Sequence, residues 1–230
     1  MPAGSVRGWG SCSRNLIDVL LAFDTSTPAV TVALHDGEQV VAESNAVDAM
    51  RHGELLAPGI STVMTEAGIV RQDLGAIAVG VGPGPFTGLR VGLVTARTLA
   101  AVLEIPVYGV CTLDVLAAEA VDAGQVAEDF VVATDARRKE VYWAAYDGQG
   151  HRLEGPYVSK PADISTGGPV VGRGALLYPD AFPRFLAPEH PNAAVLARVV
   201  TDERVELFDP EPLYLRRPDI APPGKPKRVS

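Results

Sequence analysis

Residues able to do chemistry fall in three short stretches. Asp24, Thr25, Ser26 and Thr27 put one carboxylate and three hydroxyls in a single turn. Such a turn can present N–H and hydroxyl groups to a phosphate, or it can cap its own backbone through Asx-type hydrogen bonds. Val79–Leu93 reads VGVGPGPFTGLRVGL, a loop rich in glycine and proline that opens a helix, with Arg90 in the first turn. Free N–H groups and the macrodipole favour an anion at that end, so Arg90 needs an anionic partner there. Asp135–Asp147 reads DARRKEVYWAAYD, in which Arg137 and Arg138 can meet a carboxylate or phosphate.

Several reaction classes fail on spacing. A P-loop needs a lysine that Gly82–Gly88 lacks, and the dinucleotide fingerprint GxGxxG breaks at Pro85. A two-metal nuclease finds Asp24, and Glu54 or Glu66, but the strand AIAVGV carries no acid. A kinase also needs a second phosphate loop with an acid for magnesium, and VVGRG at Val170–Gly174 has neither acid nor hydroxyl. His35, His52, His151 and His190 fall at no metal-ligand spacing, and no GxSxG elbow supports a serine triad. Cys111 reads as packing.

The helix after the loop carries a flat row. Gly88, Gly92, Ala96 and Ala100 recur every four residues, flanked by Leu89, Leu93, Leu99 and Leu103. Two helical glycines cost stability that close packing can offset. The neighbour is either another part of the same chain or a second protein; the pattern fits both.

These stretches sit on a recognisable order of elements. Val19–Asp24, Val30–Leu34 and Gln39–Glu43 read as strands, the last two joined at Asp36-Gly37 as a hairpin. A helix over Arg51–Ala67 follows, with Pro58-Gly59 expected to kink it or delay its start. Strand 76–81, helix 87–103 and strand 105–110 complete a βββαβαβ order, which gives a mixed sheet with helices on its faces. Helix 112–121, strands 130–135 and 141–146, a short strand at 169–172 and helices near 174 and 192–200 form a shortened echo. The expected class is α/β, with two lobes of the ribonuclease H-like, actin-like type. The expected divisions are a disordered leader (1–15), an N-terminal lobe (16–112), a C-terminal lobe (113–216) and a disordered tail (217–230).

Composition narrows the partners. Net charge is −8 with 47% hydrophobic residues, so a broad cationic face for nucleic acid is not expected. Cys12 and Cys111 form no CxxC and suit a reducing, cytoplasmic setting. The apolar run Leu16–Phe23 contains Asp18 and is too short to span a bilayer, so no membrane role is expected.

The blocks LLAFDTSTPAVTVAL, VGPGPFTGLRVGL, IPVYGVCTLDVLA, DARRKEVYWAAY and PLYLR resemble, in order and spacing, the bacterial TsaB family. The resemblance covers most of residues 19–216. It implies an actin-like (ASKHA) fold and a non-catalytic scaffold and activator subunit in making threonylcarbamoyladenosine beside the tRNA anticodon. The implied partners are the TsaD transferase, the TsaE ATPase and a second copy when TsaD is absent, with tRNA reached only indirectly. The catalytic relative carries a His-x-x-x-His metal site where this chain reads CTLDVLAAEA, so nucleotide and metal are expected on partner subunits and none on this subunit alone. The two N-terminal helices are implied to form the partner interface, here His52, Leu55, Leu56, Gly88, Leu89, Gly92, Leu93, Ala96 and Ala100. A stand-alone phosphotransferase or peptidase of the same fold group is the alternative.

Overall fold

A computed structural model describes residues 19–216; the expected leader and tail lie outside them. The first sheet begins with three antiparallel strands, β1 (Val19–Asp24), β2 (Ala29–His35) and β3 (Val40–Val47). Helix α1 (His52–Ala67) returns the chain to β4 (Leu74–Gly82), parallel to β1, and α2 (Phe86–Leu103) leads to β5 (Val107–Cys111), parallel to β4. Strand β1 is a continuous apolar run because both its faces are covered. Leu21 and Phe23 join the core under α1 and α2, while Leu20 and Ala22 face the opposite layer. Edge strand β3 instead alternates between half-buried and exposed residues, as a strand with one wet face must.

Helix α3 (Thr112–Asp122) leads into the second sheet, built on β6 (Phe130–Asp135), β7 (Val141–Tyr146) and β8 (Arg152–Ser159) with the short β9 (Val170–Val171) and β10 (Phe185–Leu186). Its order is β10-β9-β6-β7-β8, and the short α4 (Arg173–Leu177) packs on β6. The two mixed sheets, each flanked by helices, form the actin-like arrangement.

Three expectations need correction. Helix α1 does not start late: it begins at His52 and runs on through Pro58, which lies within it on the exposed side; buried Gly59 next to it fits against Val32, where an added Cβ would come within 3.2 Å. Strand β8 was not expected, because Gly155 and Pro156 interrupt its pattern. The span 113–216 does not stay with the second sheet: α5 (Ala193–Thr201) packs on β1 and β2, and β11 (Leu207–Phe208) pairs with β5. The far face of β1 needs an apolar cover, and Val195, Leu196 and Val199 of α5 supply it.

Candidate functional site

The turn Asp24–Thr27 is the point on which three helices converge. Asp24 is fully buried; Oδ1 accepts from Ser26 N at 2.6 Å and Oδ2 from Thr112 Oγ1 at 2.7 Å. Burial pushes its carboxyl above the usual range, against the pull of those hydrogen bonds. Gly80 makes room for it, since a Cβ there would lie 1.9 Å from Oδ2. His52 Nε2 of α1 donates to Thr27 O at 2.7 Å, and Thr27 Oγ1 accepts from Ala29 N.

Thr25 engages α2 directly. Its hydroxyl donates to Gly88 O at 2.8 Å and accepts from Gly92 N at 3.0 Å. Those are the two groups that pair across one turn of an α-helix. A Cβ at Gly88 would meet Thr25 O at 2.5 Å, and one at Gly92 would meet Thr25 Oγ1 at 2.6 Å. The two glycines exist to let this turn into the helix.

The expected interface row is therefore turned inward. His52, Leu56, Gly88, Leu89, Gly92, Leu93, Ala96 and Ala100 are all buried within the chain and Leu55 half-buried. Helix α1 packs on β2 and β3 and helix α2 on β4 and β1, so the small residues serve an intramolecular contact. The outer side of α2 carries Thr87, Val94, Thr98 and Val102, with Val94 62% and Val102 74% exposed. On the neighbouring α1, Ala57, Pro58 and Ser61 are exposed.

Arg90 also has a different partner from the one its position suggested. Its Nε donates to Tyr214 Oη at 2.9 Å, and its guanidinium lies 3.5 Å over the Phe86 ring, which stacks on Tyr214. A cation–π contact thus replaces the expected anion. Leu213 N donates to Val81 O, and Arg216 donates to Ala136 O and pairs with Glu140. The PLYLR segment clasps both lobes, a role that sequence reasoning missed; the block's recurrence in the resemblance was its one signal. At the turn that Arg216 holds, Arg137, Arg138 and Lys139 all take positive φ, 61°, 56° and 60°.

Asp24, Thr25, Ser26, Thr27 and Arg90, the residues considered for phosphate, thus all have partners within the chain.

Behind the turn, Cys111 is buried and its thiol is pushed upward by desolvation, which removes its nucleophilic form. Asp114 accepts from Tyr146 Oη at 2.7 Å and pairs with Arg152 at 3.4 Å. Among the described residues, no three of His, Cys, Asp or Glu are grouped to hold a metal ion. One helix, α2, is long and apolar enough to cross a membrane by length and composition; here it lies against β4.

The family model for TsaD, tRNA N6-adenosine threonylcarbamoyltransferase, matches residues 40–190. An uncharacterized protein of Mycobacterium tuberculosis is 43% identical over 216 residues, 91% of this chain and 97% of the relative. The tRNA threonylcarbamoyladenosine biosynthesis protein TsaB of Escherichia coli is 36% identical over 172 residues, 70% of this chain and 74% of the relative. The solved structure of YeaZ from Pseudomonas aeruginosa superposes with a TM-score of 0.73 at 30% identity, covering 86% of this chain and 100% of that one. With the motif order, the fold and these similarities in agreement, the chain belongs to the TsaB (YeaZ-like) family.

Proposed function

We propose that this chain is a non-catalytic scaffold and activator subunit for threonylcarbamoylation of the adenosine beside the anticodon in tRNAs reading A-starting codons. It acts by forming a heterodimer with the TsaD transferase and pairs with itself where TsaD is absent. The TsaE ATPase joins the assembly, and tRNA is reached through it. Nucleotide and metal belong to the partner subunits, and the assembly works in the cytoplasm. The names of the relatives in Escherichia coli and Bacillus subtilis support a role in threonylcarbamoyladenosine biosynthesis.

The observation that carries the docking part is the uncovered outer face of α2. Val94, Thr98 and Val102 are spaced at one helical repeat and stay exposed while the inner face is filled. Helix α1 packs beside α2 on the same sheet face, so the pair offers a two-helix surface to which a partner's helices can add. The sequence CTLDVLAAEA agrees with chemistry placed on the partner, because its Asp114 is already committed to Tyr146 and Arg152.

The test is co-purification of tagged TsaD with the Val94→Arg, Val102→Arg double variant. Loss of the complex with an unchanged circular dichroism spectrum is expected. A retained complex would overturn the docking face. Titration of the isolated chain with Mg-ATP separates the phosphotransferase alternative, which requires tight binding by the lone subunit.

A further inference from the structure

Strand β3 closes the first sheet: the order β11-β5-β4-β1-β2-β3 leaves its outer side without a strand among the described residues. In an antiparallel ladder alternate residues turn N–H and C=O toward the neighbour, and those between turn theirs outward. Native edges are commonly blunted by lysine, proline or a bulge. Here the eight residues VVAESNAV carry neither lysine nor proline, and the one register shift against β2 lies at the Leu34/His35 end. Val41 and Val47 stay 37% and 67% exposed. Such an edge is a template for an added strand.

A groove of about 630 Å³ runs beside that edge, between β3, the end of α3 and the first turns of α5. It lies on the sheet face opposite α1 and α2, because Glu43 pairs with Ala33, and Ala33 packs with Ala193 and Ala194 of α5. Glu43, Glu119 and Asp122 line it against one basic side chain, Arg198. Asp122 is already engaged by Arg204, at 2.7 and 3.1 Å. Glu119 Oε2 is buried and accepts no hydrogen bond. Burial, with Glu43 and Asp122 beside it, pushes that carboxyl up to about 7, against the pull of Arg198 and the Asn192 N–H.

Charge decides the occupant. A second copy pairing through β3 would bring two of these acidic grooves together, in a chain of net charge −8. A nucleic-acid strand meets the same repulsion. An extended peptide with a basic side chain satisfies the open backbone groups and gives Glu43 and Glu119 a donor. We propose that β3 and this groove take an extended basic segment of a partner protein as an added strand, with a Lys or Arg side chain seated between Glu43 and Glu119. Val47 lies on the same face as Glu43, four residues on, so an apolar side chain four positions from the basic one rests against it. The site stands on the opposite sheet face from the docking surface of α2 and does not depend on it.

The test titrates the ¹⁵N-labelled full chain with a capped octapeptide of threonine carrying lysine at its third position and valine at its seventh, followed through the backbone amides of β3. Saturable shifts of β3 and the groove are expected. Affinity should fall about tenfold or more in the Glu43→Gln, Glu119→Gln double variant, and as far when glutamate replaces the peptide's lysine. Because Glu119 gains its charge as pH rises through about 7, the affinity should rise from pH 6 to pH 8 in the parent and stay level in Glu119→Gln. No saturable shift, or one indifferent to the carboxylate variants, would overturn the proposal. So would β3 amides that move on dilution of the chain alone, which assign the edge to a second copy, or on removal of residues 1–15 or 217–230, which assign it to the chain's own ends.

Discussion

The hydroxyl of Thr25 lies between Gly88 O and Gly92 N, 3.0 Å from the latter, inside the hydrogen-bond ladder of α2. A turn of the sheet is thereby locked to a helix by one side chain. Gly88 and Gly92 are the imprint of that lock, and because the whole row is buried, substitutions along it test folding rather than docking.

Gly92→Ala should cost about 1–3 kcal/mol, as an overpacked core site does, because its Cβ would come 2.6 Å from Thr25 Oγ1. Urea denaturation measures it. The double variant with Thr25→Ala should lose less than the sum of the two single changes, since the clash disappears with the hydroxyl. Strict additivity would show that the two residues are not coupled.

The clasp around Arg90 predicts a ranking. Tyr214→Phe keeps the stack on Phe86 and loses only the bond from Arg90 Nε, whereas Arg90→Ala loses both the bond and the cation–π contact. Arg90→Ala should therefore destabilise more than Tyr214→Phe, by roughly 0.5–1 kcal/mol at so exposed a site. Equal midpoints in denaturation would remove the cation–π contribution.

Glu119 gives the molecule a pH dependence. Burial, the largest influence, pushes its carboxyl up to about 7; Glu43 and Asp122 push the same way and Arg198 opposes them. A carboxyl raised in the folded state binds its proton there while the unfolded chain has released it. Stability from this group is thus full below about pH 4.5 and falls as pH rises to 7. Glu119→Gln should match the parent protein in acid and exceed it in melting temperature by about 2 °C or more at pH 8. A constant difference across that range would refute the assignment.

The outer face of α2 predicts the opposite of the inner one. Val94→Arg and Val102→Arg each should change stability by less than about 0.5 kcal/mol, because exposed sites tolerate substitution. A larger loss by thermal denaturation would mean that the face is already covered within the chain.

The alternating and continuous apolar runs of β1 to β5 determined the first sheet, since covered strands need such runs and short crossovers allow few topologies. The order of motif blocks determined the family. The spacing of Gly88, Gly92, Ala96 and Ala100 determined that something approaches α2 closely, but periodicity is the same whichever neighbour fills it. Only tertiary structure decided that the neighbour of Gly88 and Gly92 is Thr25, 63 and 67 residues away. The partner of Arg90 lies 124 residues on, and a pairing at that separation leaves no local pattern. The return of α5 and β11 to the first sheet was hidden for a similar reason: an apolar helix and a two-residue strand state that they are buried, and only the packed chain states against what.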